Sequence, residues 1–145
     1  MPGESAGDAS ALTPGSTLGD TLVSVPLSDG GGTDTYIAQE KYHAQFCADL
    51  PAAQAIRMAI TQRPVTQKAL FEPASGQALW QTVPSWFVFG ELDHNIPVGA
   101  HRIMAERAAA RDTVEIAGAS HVVGISHADE VAKLVLDAVG AAPAS

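Results

Sequence analysis

The chain has 145 residues, 46% of them hydrophobic and 17% charged, which points to one globular domain and not to a disordered segment. A formal net charge of −8 argues against a nucleic-acid footprint, and the single cysteine, Cys47, excludes an intrachain disulfide. The opening Met1-Pro2-Gly3-Glu4-Ser5 has neither the basic nor the apolar region of a signal peptide, and no apolar run nears the roughly 20 residues of a membrane span, so a soluble, cytoplasmic protein is expected.

Residues 1–35 are rich in Gly, Ser, Pro, Asp and Thr, and Leu18, Leu22, Val23, Val25 and Leu27 form their main apolar cluster. Asp29-Gly30-Gly31-Gly32 reads as a flexible turn, and the segment as a whole as loop. Residues 36–82 read as three short helices without a strand. The first, over 36–48, carries Ile37, Tyr42, Phe46 and Cys47. Asp49 is placed to cap the second, with Pro51 in its first turn, and that helix must end near Gln62 because Arg63 precedes Pro64. The third holds Ala69, Leu70 and Phe71. Short helices broken by prolines suggest a cap laid over another layer; the alternative is an ordinary helical connection.

Residues 83–145 are more regular. Trp86-Phe87-Val88-Phe89 is an apolar run of the kind that forms a strand buried on both faces of a parallel sheet. Pro97 starts a helix through Ala109 whose inner stripe is Ala100, Ile103, Met104 and Ala108. Thr113-Val114-Glu115-Ile116 is the next strand. A last helix over 128–139 places Val131, Leu134, Val135 and Ala138 at i, i+3, i+4 and i+7, with Gly140 as its stop. Strand, helix, strand, helix with short loops predicts parallel strands joined by a right-handed crossover.

Two side chains stand just past the carboxyl ends of these strands, where open parallel sheets build their sites: Asp93 after the first and His121 after the second. Neighbouring strands lie ~4.8 Å apart, so the two loops can bring a carboxylate to an imidazole. Such a carboxylate fixes the ring tautomer and leaves the other nitrogen free to take a proton from a nucleophile. The alternative is that Asp93 caps a turn and His121 is a surface loop histidine. A metal site drawn from Asp93, His94, His101, His121 and His127 is a weaker rival, because none of the gaps gives the i, i+4 pair of a helical zinc site.

The surrounding words resemble the α/β-hydrolase family, and more narrowly the small esterases related to plant methylesterases and hydroxynitrile lyases. They are Trp80 with Pro84-Ser85-Trp86, Gly90-x-x-Asp93-x-x-Ile96-Pro97, Arg102-x-Met104-Ala105-x-Arg107-Ala108, Val114-Glu115-Ile116, Gly118-Ala119-Ser120-His121 and Ser126-His127. Phe46-x-x-Asp49-Leu50-Pro51 and Gln62-Arg63-Pro64 resemble the cap of that group. The resemblance covers residues 36–139 and implies an α/β fold: the C-terminal portion of an α/β-hydrolase parallel sheet (83–145) under a helical cap (36–82), after a loop-rich segment (1–35). It implies Asp93 as triad acid and His121 as general base, in the order acid before histidine. It also implies an apolar cleft lined by Phe46, Met58, Leu70, Phe71 and Trp80, for each of which plain packing is the alternative. The expected chemistry is hydrolysis of a carboxylic ester or similar small acyl compound, with no cofactor or metal.

A nucleophile is harder to find. Gly3-Glu4-Ser5-Ala6-Gly7 fits G-x-S-x-G, but only two residues precede it and no amphipathic helix follows, whereas the elbow needs a strand to deliver the serine and a helix to leave from it. Ser126, in Gly124-Ile125-Ser126-His127-Ala128, follows His121 and reads as the N-cap of the last helix, with Asp129 completing a capping box. The chain therefore reads as the C-terminal part of a hydrolase: a truncated gene product, a mis-called start or a split protein. Without oxyanion-hole donors, acyl transfer loses about 100-fold to 1000-fold per donor. Two strands alone also expose a sheet edge that invites self-association or pairing with another chain. The other functional class is a non-catalytic fragment that binds a small apolar ligand or complements a separate chain.

Overall fold

The computed structural model describes residues 3–141. The chain opens with a five-residue helix, α1 (Ala6–Ser10), capped by Ser5. A 3-10 turn over Leu18–Thr21 leads into a hairpin of β1 (Leu22–Pro26) and β2 (Thr33–Ile37), antiparallel with Leu22 opposite Ile37 and Pro26 opposite Thr33. The expectation of loop over residues 1–35 is corrected here. β1 is exposed along its whole length, so it carries no in–out alternation, although the glycine-rich turn after it is a hairpin signal.

The cap also differs in detail. Tyr36 and Ile37 finish β2, and the first cap helix starts later, as α2 (Gln39–Phe46). The second, α3 (Ala52–Thr61), follows Pro51 and stops at Gln62 as the Arg63-Pro64 pair requires. Asp49 does not cap it; α3 has no side-chain cap. The Gln62 amide clamps the hairpin instead, accepting from the Ile37 N–H at 3.0 Å and donating to the Ile37 carbonyl at 2.8 Å. Val65–Thr66 forms a short strand, β3, on the far edge of β2, where a strandless cap was expected, and Thr66 caps α4 (Gln67–Phe71). The cap core is Ile37, Tyr42, Cys47, Leu50, Ala55 and Ala59, and it includes Val122, the residue after His121. Burial of these side chains therefore seats the cap on the histidine loop.

The remaining elements follow the sequence pattern closely. β4 (Trp86–Gly90) and β5 (Asp112–Ile116) pair in parallel, with Val88 opposite Val114 and Gly90 opposite Ile116. Between them α5 (Val98–Arg107) starts at Pro97, with Ala100 fully buried and Ile103, Met104 and Ala108 half-buried. After β5 comes one helical turn, α6 (Val123–Ser126), and then α7 (Ala128–Gly140). Ser126 closes α6 and does not cap α7, which has no side-chain cap, so the expected capping box is absent. Leu134 is the buried residue of α7, while Val135 is 55% and Leu136 70% exposed. A two-stranded sheet gives the helix only a narrow surface, so one flank of the expected stripe stays in solvent. Among the described residues no helix is long and apolar enough to cross a membrane.

Candidate active site

Glycine decides how closely the two site loops approach. A Cβ on Gly90, at the end of β4, would fall 2.3 Å from the carbonyl oxygens of both Ala119 and Ser120. Only a residue without a side chain lets the two main chains touch there. The loops are then knitted by main-chain bonds from Glu91 N to Ile116 O and from Leu92 N to Ala119 O, both 2.9 Å. Gly118, at φ +72°, makes the turn that lets Ser120 and His121 follow.

In this frame Asp93 and His121 meet. Asp93 is buried, at 6% exposure. Its Oδ1 accepts from the main-chain N–H of Asn95 at 2.8 Å and of Ile96 at 3.0 Å. Its Oδ2 lies 2.7 Å from His121 Nδ1 and 3.0 Å from Nε2 of His101, on α5. An ionised carboxylate only accepts, so both ring nitrogens facing it carry protons. Burial by itself would push the Asp93 carboxyl up. The hydrogen bonds from His101 and His121, the charge of His121 and the Ile96 N–H outweigh burial and hold it well below the usual carboxylate range. With Nδ1 turned to Asp93, the other ring nitrogen of His121, Nε2, makes no hydrogen bond among the described residues, and in the neutral ring it is the acceptor.

The cap grips both loops. Gln45, buried on α2, donates to the His94 carbonyl at 2.9 Å and to Asn95 Oδ1 at 2.8 Å, holding the Asp93 loop. Asp49 holds the other: its Oδ2 accepts from the Ser120 N–H at 3.2 Å, and its Oδ1 from the Ser120 hydroxyl. Phe46 packs its ring on that of His121, with centroids 4.9 Å apart. A cleft of about 520 Å³ opens beside His121, lined by Phe46, Leu70 and Phe71 as expected, together with Leu18, Tyr42 and Ile96. Met58 packs against the cap core, and Trp80 lines a separate cavity of about 350 Å³.

The serines fall as follows. Ser5 sits at the N-terminus of α1, its hydroxyl 2.8 Å from Asp8 Oδ2, and it lines the smaller cavity, not the cleft of His121. Ser126 Oγ lies 2.9 Å from His127 Nδ1. Ser10 and Ser16 line the cleft, but their hydroxyls donate to the carbonyls of Gly7 and Asn95, both at 2.8 Å, and neither is carried by a strand. Among the described residues no group of three or more His, Cys, Asp or Glu side chains is arranged to hold a metal ion. His94 is exposed, and His127 faces Asp49 at 3.7 Å. The sequence pattern did not single out Gln45, the Asp49–Ser120 contact or the His101–Asp93 contact. The signal for His101 was one helical turn after Pro97, which points a side chain back toward the preceding loop.

A family model described as "Alpha/beta hydrolase family" matches residues 4–134. No curated protein matches the chain significantly. Among solved structures, polyneuridine aldehyde esterase is similar, with a TM-score of 0.66 at 18% identity over 81% of this chain and 48% of that one. A histidine-to-alanine variant of that esterase reaches 0.69 at 17% identity, over 94% and 57%. A pyrethroid hydrolase from Sphingobium faniae gives 0.59 at 16% identity, over 97% and 57%. The likeness is one of fold, and the chain spans about half the length of these structures.

Proposed function

Because the chain belongs to the alpha/beta hydrolase family, we propose that it carries the acid and base of a carboxylic-ester hydrolase, Asp93 and His121, and that the nucleophilic serine comes from polypeptide outside residues 3–141. The observation that carries this reading is the 2.7 Å Asp93–His121 contact beside an apolar cleft, with His121 Nε2 making no hydrogen bond among the described residues. In this scheme the Nε2 accepts the proton of a serine hydroxyl as it attacks the ester carbonyl. The imidazolium, steadied by Asp93, returns the proton to the leaving alkoxide, and water then releases the acyl group by the same route. The apolar cleft suits a small ester with a hydrophobic body. A strand and turn from that polypeptide would join at the open edge of the β4–β5 sheet, and the exposed Val135 and Leu136 of α7 offer it further apolar surface. The free, buried thiol of Cys47 suits a cytoplasmic setting.

The cleft and the absence of a hydroxyl at Nε2 among the described residues also favour a second reading: a fragment that binds an apolar ligand without turnover. The test is the purified chain with a short activated ester and a serine-directed organophosphonate. The proposal expects hydrolysis near background, no phosphonylated serine within this chain, and binding of a non-hydrolysable ester that Phe46→Ala weakens. Rapid hydrolysis with labelling of Ser5, Ser10, Ser16 or Ser126 would overturn it. Hydrolysis that rises when the family's N-terminal half is supplied, and that His121→Ala removes, separates the enzyme from the binding fragment.

A further inference from the structure

We propose that His101 is a positioning residue for the Asp93–His121 pair, holding Asp93 Oδ2 from helix α5 so that the carboxylate is fixed and only partly committed to His121. The inference rests on the reading of those two residues as acid and base. Asp93 has four acceptor sites, and all four are used: two main-chain N–H groups on Oδ1 and two imidazoles on Oδ2. The carboxylate cannot turn without breaking one of these bonds.

His101 is built to stay where it is. Its side chain is 14% exposed, and its ring stacks on Phe89 of β4, with centroids 4.7 Å apart and planes 5° from parallel. Phe89 is itself buried, so the ring has a fixed wall. The His101 main-chain N–H bonds to Pro97 at the start of α5, and a side chain in that first turn leans back toward the Asp93 loop. Among the described residues, the charged group facing the His101 ring is Asp93, and beyond it His121. The next side chain on the helix, Arg102, turns to Glu115 at 2.6 Å.

Sharing has a chemical consequence. A second N–H donor on Oδ2 draws charge from that oxygen and makes it a weaker partner for the His121 imidazolium. His121 is thereby oriented by a carboxylate whose hold on its imidazolium is moderated by His101.

Two variants separate this role from packing. His101→Phe keeps the stack on Phe89 and removes the donor; His101→Gln keeps an N–H donor and removes the ring. Titration of the His121 ring followed by NMR is expected to shift upward by roughly 0.5 pH unit in His101→Phe, and by less than half of that in His101→Gln. No shift in His101→Phe, or equal shifts in both, would overturn the proposal. In the unaltered chain, ring ¹⁵N shifts near pH 8 should show His101 protonated at Nε2; a bare Nε2 would overturn it without any variant. None of these readouts needs turnover, so a failure of the supplied N-terminal half to restore hydrolysis would count against the ester reading and leave this one standing.

Discussion

Asp49, in the cap, holds Ser120 by two hydrogen bonds, one from the Ser120 main-chain N–H at 3.2 Å and one from its hydroxyl. Ser120 is the neighbour of His121, so the position of that imidazole depends on a carboxylate 71 residues earlier in the chain. Gln45 does the same for the Asp93 loop through His94 and Asn95. Cap and sheet thus position Asp93 and His121 jointly.

Asp49→Ala should loosen the histidine loop. It leaves the Ser120 N–H and hydroxyl without their acceptor, at a cost of about 1–3 kcal/mol in urea denaturation. The Asp49 carboxyl would be pushed up by burial, but its bonds from Ser120 and Ser126 bring it below the ordinary value. A depressed carboxyl contributes stability above its unfolded value and loses it as pH falls through the folded one. The gap between parent and variant should therefore close in acid.

Asp93→Asn should have a larger effect. Asparagine keeps one carbonyl, so its amide N–H group must face either the two imidazole donors or the Asn95 and Ile96 N–H groups, and buried donors are stranded. The expected loss is about 3 kcal/mol at neutral pH. Because folding lowers the Asp93 carboxyl, the parent should lose stability from about pH 5 downward, and the variant should show a flatter acid limb. Urea midpoints measured from pH 3 to pH 8 check both statements.

Gly90→Ala tests the close approach of the two loops. The added methyl meets the Ala119 and Ser120 carbonyls at 2.3 Å, and main chain does not yield as a flexible side chain would. The expected destabilisation is about 1–3 kcal/mol, with chemical-shift changes concentrated at Asp93 and His121.

Ser5→Ala separates the G-x-S-x-G match from a true elbow. Removing this cap should cost about 1 kcal/mol or less, since α1 is short and peripheral, and should leave binding to the cleft unchanged. Loss of binding or of any hydrolysis would show that Ser5 belongs to the site.

The legibility of the fold followed burial. β4, α5, β5 and α7 were readable because each buries one face or run against a neighbour, and Pro97 marks where α5 starts. The hairpin of β1 and β2 was not, because β1 lies open to solvent and shows no period of two. The meeting of Asp93 and His121 followed from their places after adjacent strands. His101, Gln45 and Asp49 act across elements distant in sequence, and nothing in local spacing announces which loop each will reach. Ser126 matched a capping pattern but was overridden by the extra turn of α6.

The most direct measurement is the tautomer of His121, read from its ring ¹⁵N shifts above the titration midpoint in the parent and in Asp93→Asn. A proton held on Nδ1 in the parent, moving toward Nε2 in the variant, is what the Asp93 contact predicts. A ring protonated at Nε2 in the parent and indifferent to the substitution would contradict it.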